Sequence, residues 1–423
     1  MRFALPVLAC ASVVCLEVSS ARGHEPGPQA TAQIVAREDA LRLGAAGGPG
    51  VAIAAAPGAA ARDARDAATA LLRPATVAVY GGYRAGALGP GPELGVTVSQ
   101  DLALRDVGAA RSGTADALAN VVSSDRVRAR IDAAARAGLA WAATLEAKEV
   151  VRLRRAAEDQ AATIVRTAEA RVRSGTGMPY ELAIVKGDAA AAHAAVLDAE
   201  GVLVEMLAEL RFALGLDAAA AVDVSGDLYS TDDRPIDEAF VLRYAVSTNP
   251  TVVYAEARAA LARQETRLTH ATLGPTLTLG ASYVREGTGD HVFTGFVGVP
   301  IPFLDPAAFD AARARAFERT AEAQIARVRA EASRDLRVAL HDREHWREVR
   351  EALRTGALVP TREGLRLARA AYETGTQDVS VVLLARQRVI AVEEQLAHVA
   401  AEVQRADVRF GRAAGTLMRG EAR

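Results

Sequence analysis

The chain has 423 residues, of which 50% are hydrophobic, 24% are charged and only 4% are aromatic. Lys and Arg (50) nearly balance Asp and Glu (52), giving a formal net charge of −2. This balance argues against a nucleic-acid-binding protein, which normally carries a basic excess. The apolar content excludes bulk disorder, and the low aromatic share favours an Ala-rich, extensively helical protein.

Residues 1–21 have the pattern of a secretory signal peptide. Arg2 precedes an apolar stretch from Phe3 to Val18, and a run of small residues ends at a predicted cleavage site after Ala21. A lipoprotein signal at Cys10 is the alternative, but the apolar stretch before it is very short. No later stretch reaches about 18 uninterrupted apolar residues, so the sequence predicts no membrane-spanning helix.

Glycines and prolines recur along the chain at a shift of about 200 residues. The pairs are Gly48-Pro49 with Asn249-Pro250, Pro74 with Pro275, Gly175-Thr176 with Gly375-Thr376, and Gly215 with Gly415. Because these residue types force particular backbone conformations, their common order indicates a tandem duplication. The interpretation divides the mature chain into a first structural repeat, 22–225, and a second structural repeat, 226–423.

Each copy predicts a helix, two strands, a long helix, a turn and a return helix. Strands are expected near 74–84, 91–102, 275–285 and 292–303, and helical hairpins at 103–215 and 306–415. In the second copy the first helix is expected to run from Ile236 to about Leu273. The strands alternate between an apolar face and a small or polar face, which is typical of barrel strands with lipid outside and water inside. An ordinary half-buried hairpin in a soluble domain is the alternative.

The helix after the first hairpin is predicted to extend over about 70 residues, which at ~1.5 Å per residue gives roughly 105 Å. Two shorter helices stacked end to end would match it in each copy. Helices of this length do not fit a compact domain and favour the wall of a tube.

Four sequence stretches resemble the TolC-like outer-membrane efflux proteins, and within them the CzcC-type branch. They are Ile236-Asp237-Glu238-Ala239 with Ser247-Thr248-Asn249-Pro250, then Val297 to Asp305, then Leu358-Val359-Pro360 through Ala371-Tyr372-Glu373-Thr374-Gly375, and then Val382 to Gln387. The resemblance covers about Gln33 to Leu417.

The resemblance implies a mainly α fold with β-barrel strands, built as a duplicated helix, β-hairpin and long helical hairpin. It further implies a homotrimer with a twelve-stranded barrel in the outer membrane and a periplasmic α-helical tunnel. Four strands per chain leave two open edges, and three chains supply enough strands for a channel with a lumen.

The turns between the long and return helices are the predicted functional site. The candidates for contact with a periplasmic adaptor are Gly175, Thr176, Gly375, Thr376, Gln377 and Asp378. Glycine tolerates the positive φ of such a turn, and the polar side chains are also candidates to bind amides in the first turn of the return helix. Related proteins often carry an acidic residue just after the turn. Here Val381 and Leu384 occupy this stretch as the entrance-lining candidates, so an acidic gate is not expected.

One short motif points to a different chemistry. His341-Asp342-Arg343-Glu344-His345 matches the H-x-x-E-H pattern of a zinc peptidase family. Its neighbours are mostly charged, which favours a solvated helix face, and no third ligand is evident. We therefore expect no catalytic residues, no metal site, no cofactor and no enzymatic activity.

The sequence thus predicts an exit duct of a tripartite efflux system in the outer membrane, with a periplasmic helical extension. Its predicted partners are two further copies of itself, a periplasmic adaptor, an inner-membrane transporter and outer-membrane lipid, but no nucleic acid. Metal ions and small molecules are the expected substrates. The alternatives are a channel for type I protein secretion and a secreted helical coiled-coil binding protein.

Overall fold

The computed structural model describes residues 32–68, 75–87, 89–230, 241, 243, 246–274, 276–299 and 307–418. The predicted signal peptide, the predicted helix start at Ile236 and the prolines at 74 and 275 lie outside these residues. Among the described residues, no single helix is long and apolar enough to span a membrane. The bent pair of segments Arg37–Gly47 and Val51–Ala68, which meet at 48°, is long and apolar enough to do so by length and composition alone.

The first half of the chain contains a short strand, three short helices, a β-hairpin and a helical hairpin. Their bounds are β1 Gln33–Val35, α1 Arg37–Gly47, α2 Val51–Ala55, α3 Pro57–Ala68, β2 Thr76–Arg84, β3 Gly91–Ala103, α4 Val107–Arg173 and α5 Pro179–Leu214. The described part of the second half has a similar order. Its elements are β4 Val222–Val224, α6 Pro250–Thr272, β5 Thr276–Arg285, β6 His291–Gly298, α7 Ala307–Ala352, a π-helix Leu353–Leu358, α8 Val359–Glu373 and α9 Val379–Ala413.

The local sequence explains where α4 and α6 begin. The Asp106 side chain accepts a hydrogen bond from the Ala109 amide (2.8 Å) and caps α4. The Asn249 side chain accepts one from the Thr251 amide (2.9 Å), and Pro250 fills the first helical position of α6.

The predicted continuous helix from Ile236 to Leu273 is therefore wrong in its middle. Asn249 is extended, with φ −60° and ψ 126°, because a residue before proline is disfavoured in the helical conformation. Its side-chain nitrogen Nδ2 donates to the Ala413 carbonyl (2.9 Å), so this break is tied to the end of α9.

The four long strands form one antiparallel sheet in the order β2-β3-β5-β6. The register aligns Val77 with Val98, Val98 with Ala281, and Leu279 with Val297, so the apolar residues of all four strands share one face. The opposite face carries mostly small, polar and charged residues, together with Tyr80, Val284, Val292 and Phe296. Glycine also gives room for rings on this face, because a Cβ at Gly95 would lie 2.4 Å from the Tyr80 ring.

Neither face of this sheet is covered by another described element. Val77, Val79, Phe293 and Val297 are 62%, 67%, 79% and 68% exposed. Strand β6 ends at Gly298, earlier than the predicted 303; residues 300–306 lie outside the described range. Among the described residues, the outer edges of β2 and β6 pair with no further strand.

The helices pack side by side and form a layer next to the sheet. In the half nearer the sheet, α6 packs between α4 and α7, and α3 packs on the other side of α4. In the far half, α5 and α9 pack on either side of α4, and α8 packs on α9. The long helix α4 thus runs through both halves of the layer.

The main core lies where these two halves meet. Trp141 of α4 is 3% exposed, packs among alanines and leucines, and donates its ring N–H to the Val35 carbonyl (3.2 Å). Strand β1 pairs in parallel with β4, and Gly226 lies so close to Trp141 that a Cβ there would be 2.8 Å from the ring.

Residues 222–230, which we call the crossing segment, run over one face of the helical layer. Lys148 of α4 binds Asp223 (2.7 Å), and Glu149 accepts a hydrogen bond from the Tyr229 hydroxyl (3.0 Å). Gln404 of α9 donates to the Ser230 carbonyl (2.7 Å), and Arg350 of α7 donates to the Tyr229 carbonyl (3.3 Å). The segment therefore bridges three helices of the layer.

The second long helix is not a uniform α-helix as predicted. A π-helix spans Leu353–Leu358 and separates α7 from α8. Pro360, the second residue after the π-helix, lacks the amide hydrogen that an α-helical hydrogen bond would need. The apolar spacing of the sequence does not indicate this irregularity.

A buried ion pair joins the two helical hairpins in the far half of the layer. Arg386 of α9 donates to Asp188 of α5 (2.5 Å) and to the Ala157 carbonyl of α4 (3.1 Å). The two charged side chains are only 4% and 15% exposed. Since a buried charge is costly without its partner, this pair fixes how α9 lies against α4 and α5.

We expect Arg386→Met to lower the free energy of unfolding by about 3–5 kcal/mol, because it leaves Asp188 charged and buried without a partner. Denaturant unfolding followed by circular dichroism measures this. The control is Arg366→Met, which removes an exposed ion pair to Glu363 (2.6 Å) and should cost less than about 1 kcal/mol. Equal losses of unfolding free energy in the two variants would contradict the larger contribution expected of the buried pair.

Candidate functional site

The two helical hairpins turn with the same backbone geometry. Gly175 and Gly375 have φ of 77° and 76°, in the left-handed region that favours glycine. The Gly175 amide bonds to the Val172 carbonyl (3.1 Å) and the Thr176 amide to the Arg171 carbonyl (2.9 Å). Gly375 and Thr376 repeat this pattern with Tyr372 and Ala371 (3.0 and 2.9 Å). Both turns are Schellman caps.

The threonine hydroxyls bond to the helix that precedes each turn and not to the return helix. Thr376 donates to the Ala371 carbonyl (2.9 Å), and Thr176 makes a longer contact with the Arg171 carbonyl (3.4 Å). The hypothesis that these hydroxyls bind first-turn amides of the return helix is therefore wrong, because the nearby free groups are the last carbonyls of the preceding helix.

Asp378 and Gln377 differ from the threonines. The Asp378 carboxylate accepts a hydrogen bond from the Ser380 amide (2.8 Å) and caps α9. This bonding to Ser380 holds the pKa of Asp378 below its usual range, so the exposed turn carries a negative charge. Gln377 is exposed, and its side chain makes no hydrogen bond to any described residue.

Three residues that sequence reasoning missed hold the two tips together. Arg171 donates to the Tyr372 carbonyl (2.6 Å), and its guanidinium lies 4.7 Å from the centre of the Tyr372 ring. The Tyr180 hydroxyl donates to Asp378 (3.4 Å). The carboxylate of Asp378 raises the pKa of Tyr180. Only Tyr372 lay within a stretch that the sequence had singled out.

Beneath the turns, an apolar cluster supports the tips. Tyr372 is 3% exposed, Val379 is fully buried and Val382 is 1% exposed. These residues pack with Ile164 of α4 and Val185 of α5, so all four helices contribute. The turn residues themselves are exposed above this cluster and are available for contact.

The entrance-lining candidates begin a long exposed stripe on α9. Val381 and Leu384 are 41% and 69% exposed. Residues at alternating steps of three and four continue the stripe, namely Arg388, Ala391, Gln395, His398, Glu402, Arg405 and Arg409; Glu402 and Arg405 are half-buried and the others exposed. This is heptad spacing, which follows one side of a supercoiled helix.

The exposed stripe lies on the side of α9 that faces away from the crossing segment. Gln404 bonds to Ser230 of that segment, and at 100° per residue the stripe is centred roughly a third to a half of a turn away from Gln404. Glu146 of α4 points to the same side, since it binds Arg405 and His398 (2.9 Å). The helical layer thus has one face that the crossing segment covers, which we call the strapped face, and one open face.

The H-x-x-E-H motif forms no metal centre with the described residues. The rings of His341 and His345 stack with their centres 5.7 Å apart on α7. Among the described residues, no group of three or more His, Cys, Asp and Glu side chains is placed to hold a metal ion. Arg343, within the motif, is instead buried against Asp407 of α9 (2.8 Å).

Residues 241–416 match the sequence model of a protein family, the outer membrane efflux proteins. No curated protein sequence matches the chain.

Solved structures resemble the whole fold. The crystal structure of CusC has a TM-score of 0.75 at 14% identity, covering 94% of this chain and 98% of its own. The outer membrane protein VceC from Vibrio cholerae scores 0.74 at 16% identity, covering 90% and 96%. The CmeC outer membrane channel from Campylobacter jejuni scores 0.74 at 14% identity, covering 90% and 85%. These comparisons confirm the resemblance to TolC-like efflux proteins; the CzcC-type branch stays a prediction.

We expect Gly375→Ala to lower the free energy of unfolding by about 1–2 kcal/mol, because an L side chain at positive φ is strained. Gly364→Ala in α8 is the matched control. A Cβ there meets no atom within 4 Å, so alanine should stabilise the helix by about 0.5–1 kcal/mol. Denaturant unfolding measures both changes. A loss of unfolding free energy in Gly375→Ala with a gain in Gly364→Ala would support the cap, and changes of the same sign would contradict it.

Proposed function

We propose that this chain is a member of the outer membrane efflux protein family and serves as the outer-membrane exit duct of a tripartite efflux system. It passively conducts metal ions or small molecules that a periplasmic adaptor and an inner-membrane transporter deliver. The observation that carries the proposal is the four-stranded sheet, which has one apolar face, one polar face, no covering layer and two open edges among the described residues.

A sheet of this kind suits a membrane better than water. In water, the exposed apolar side chains and open edges would promote aggregation. In a bilayer, the apolar face contacts lipid and the polar face contacts an aqueous lumen. The edges must then be paired, because unsatisfied backbone groups are costly in hydrocarbon. A secreted coiled-coil protein would have no use for such a sheet.

Three copies satisfy this requirement. Edge β2 of one copy pairs with edge β6 of the next, and closure after three copies gives twelve strands with room for a lumen. Two copies would give a barrel of eight strands, and the interior of such a barrel is filled by its own side chains. The proposed homotrimer therefore buries every open edge of the sheet.

The helical layer supplies the periplasmic part of the proposed duct. Helix α4 has 67 residues, which corresponds to about 100 Å at ~1.5 Å per residue. Residues 307–373 have the same length, and the two hairpins turn with the same cap. These equalities support the proposed duplication into structural repeats 22–225 and 226–423.

The hairpin tips are the proposed adaptor contact. They are the described residues farthest from the sheet along α4, they are exposed, and they present glycine turns with short polar side chains. Asp378 adds a fixed negative charge, and Gln377 adds an amide that is free to bond to a partner. A pump in the inner membrane would be reached from this end.

We expect the purified protein to be a trimer in mild detergent. Chemical cross-linking followed by denaturing electrophoresis should show a band at three times the mass of the mature chain, and outer-membrane fractions should contain it. A monomer that stays soluble without detergent would contradict the proposal.

We expect Gln377→Ala with Asp378→Ala to lower efflux and adaptor pull-down, while trimer yield stays that of the parent. Asp378→Asn is the control for the cap, because asparagine caps a helix as well as aspartate does but carries no charge. If the double variant binds adaptor and confers resistance like the parent, the two residues only close a turn.

A further inference from the structure

The part of the exposed α9 stripe nearest the tips combines two apolar side chains with one arginine. Val381 and Leu384 come first, and Arg388 follows one turn farther from the tip. Residues four apart lie on the same face of a helix, so Leu384 and Arg388 are neighbours on the open face of the layer. The order from the turn inwards is therefore apolar, apolar and cationic.

The stripe has the composition of a surface in contact with water. A helix that packs against another along heptad positions carries apolar residues there. Beyond Ala391, this stripe carries Gln395 and His398 and then only charged residues. In the proposed duct, the crossing segment must lie outside, because a chain bridging three helices on the inner side would obstruct the lumen. The stripe then lines the lumen.

The charge of Arg388 is not neutralised by its surroundings. Its guanidinium makes no hydrogen bond or ion pair with any described residue, whereas Arg386, two residues earlier, binds Asp188. Farther along the stripe, Glu402 binds Arg405 (2.7 Å) and Arg409 (3.2 Å). Arg388 is thus an exposed, unpaired positive charge next to the apolar pair.

Other charged groups at this level are paired with each other. Arg386 binds Asp188 (2.5 Å), and Arg362 of α8 binds Glu393 of α9 (2.6 Å). The opposing carboxylate, Asp378, lies in the turn before the apolar pair and is bonded to Ser380 and Tyr180. An anion that passes the turn therefore next meets Leu384 and then Arg388.

We infer that Arg388 makes the entrance of this duct select for anions, so that its substrates are anionic small molecules with an apolar part rather than hydrated metal cations. The inference rests on the proposed function. Threefold symmetry would bring three copies of Leu384 and Arg388 around one axis. Rings of arginine favour anions in pores, and apolar rings hinder water-filled passage. Small divalent cations such as Mg²⁺ lose their water reluctantly.

The test is the ion selectivity of the full-length purified protein in a planar lipid bilayer under a KCl gradient. The reversal potential gives the ratio of chloride to potassium permeability. We expect a ratio above one for the parent and a fall of about twofold or more for Arg388→Gln, because the ring's charge is removed. Arg388→Lys keeps the charge and should keep the ratio.

Two further variants separate the contributions. Arg166→Gln removes a positive charge from the strapped face of α4, where Arg166 bonds only to Thr163 among the described residues, and should leave the ratio unchanged. Leu384→Ser should raise conductance and leave the preference for chloride. Gel filtration of each variant checks that the trimer forms.

The outcomes distinguish the two proposals. A conducting channel that prefers potassium, or whose ratio does not change in Arg388→Gln, would overturn the inference and leave the duct intact. A trimer that never conducts, even as Leu384→Ser, would refute the proposed function and the inference with it.

Discussion

The unpaired backbone groups at the edges of β2 and β6 are the constraint on which the rest of this architecture depends. Within one chain, the sheet β2-β3-β5-β6 ends on both sides without a described partner, and its apolar face is uncovered. Membrane insertion requires that such edges be paired. Closure with further copies would meet that requirement, and the position of the crossing segment indicates which side of the helical layer would face the lumen. The proposed trimer, barrel and tunnel therefore all depend on the same pairing of strand edges.

The crossing segment connects this constraint to the chemistry of the duct. It ties α4, α7 and α9 together on one face through Lys148, Arg350 and Gln404, and it leaves the other face open. The tip cluster and the Arg386–Asp188 pair hold the far ends of the hairpins in register. Together these contacts position the stripe that begins with Val381 and Leu384.

Much of the fold follows from local sequence signals, whereas the tertiary contacts do not. Alternation predicted strands that the structure has at 76–84, 91–103, 276–285 and 291–298, and glycine marked both turns. Pro250 signals the break at Asn249, whereas the apolar period alone predicts a continuous helix. The Arg171–Tyr372 contact depends on packing between helices distant in sequence, which no local pattern encodes. The threonine hydroxyls bond to whichever carbonyls the turn exposes, and that becomes visible only in three dimensions.

The central claim is that the sheet closes into a barrel with the crossing segment on the outside of the helical tunnel. Single-particle electron microscopy of the full-length protein in lipid nanodiscs tests it most directly. The account predicts a threefold particle whose twelve strands lie within the disc, with residues 222–230 on the outer surface and Leu384 and Arg388 facing the axis. A particle without threefold symmetry, or with residues 222–230 facing the axis, would contradict it.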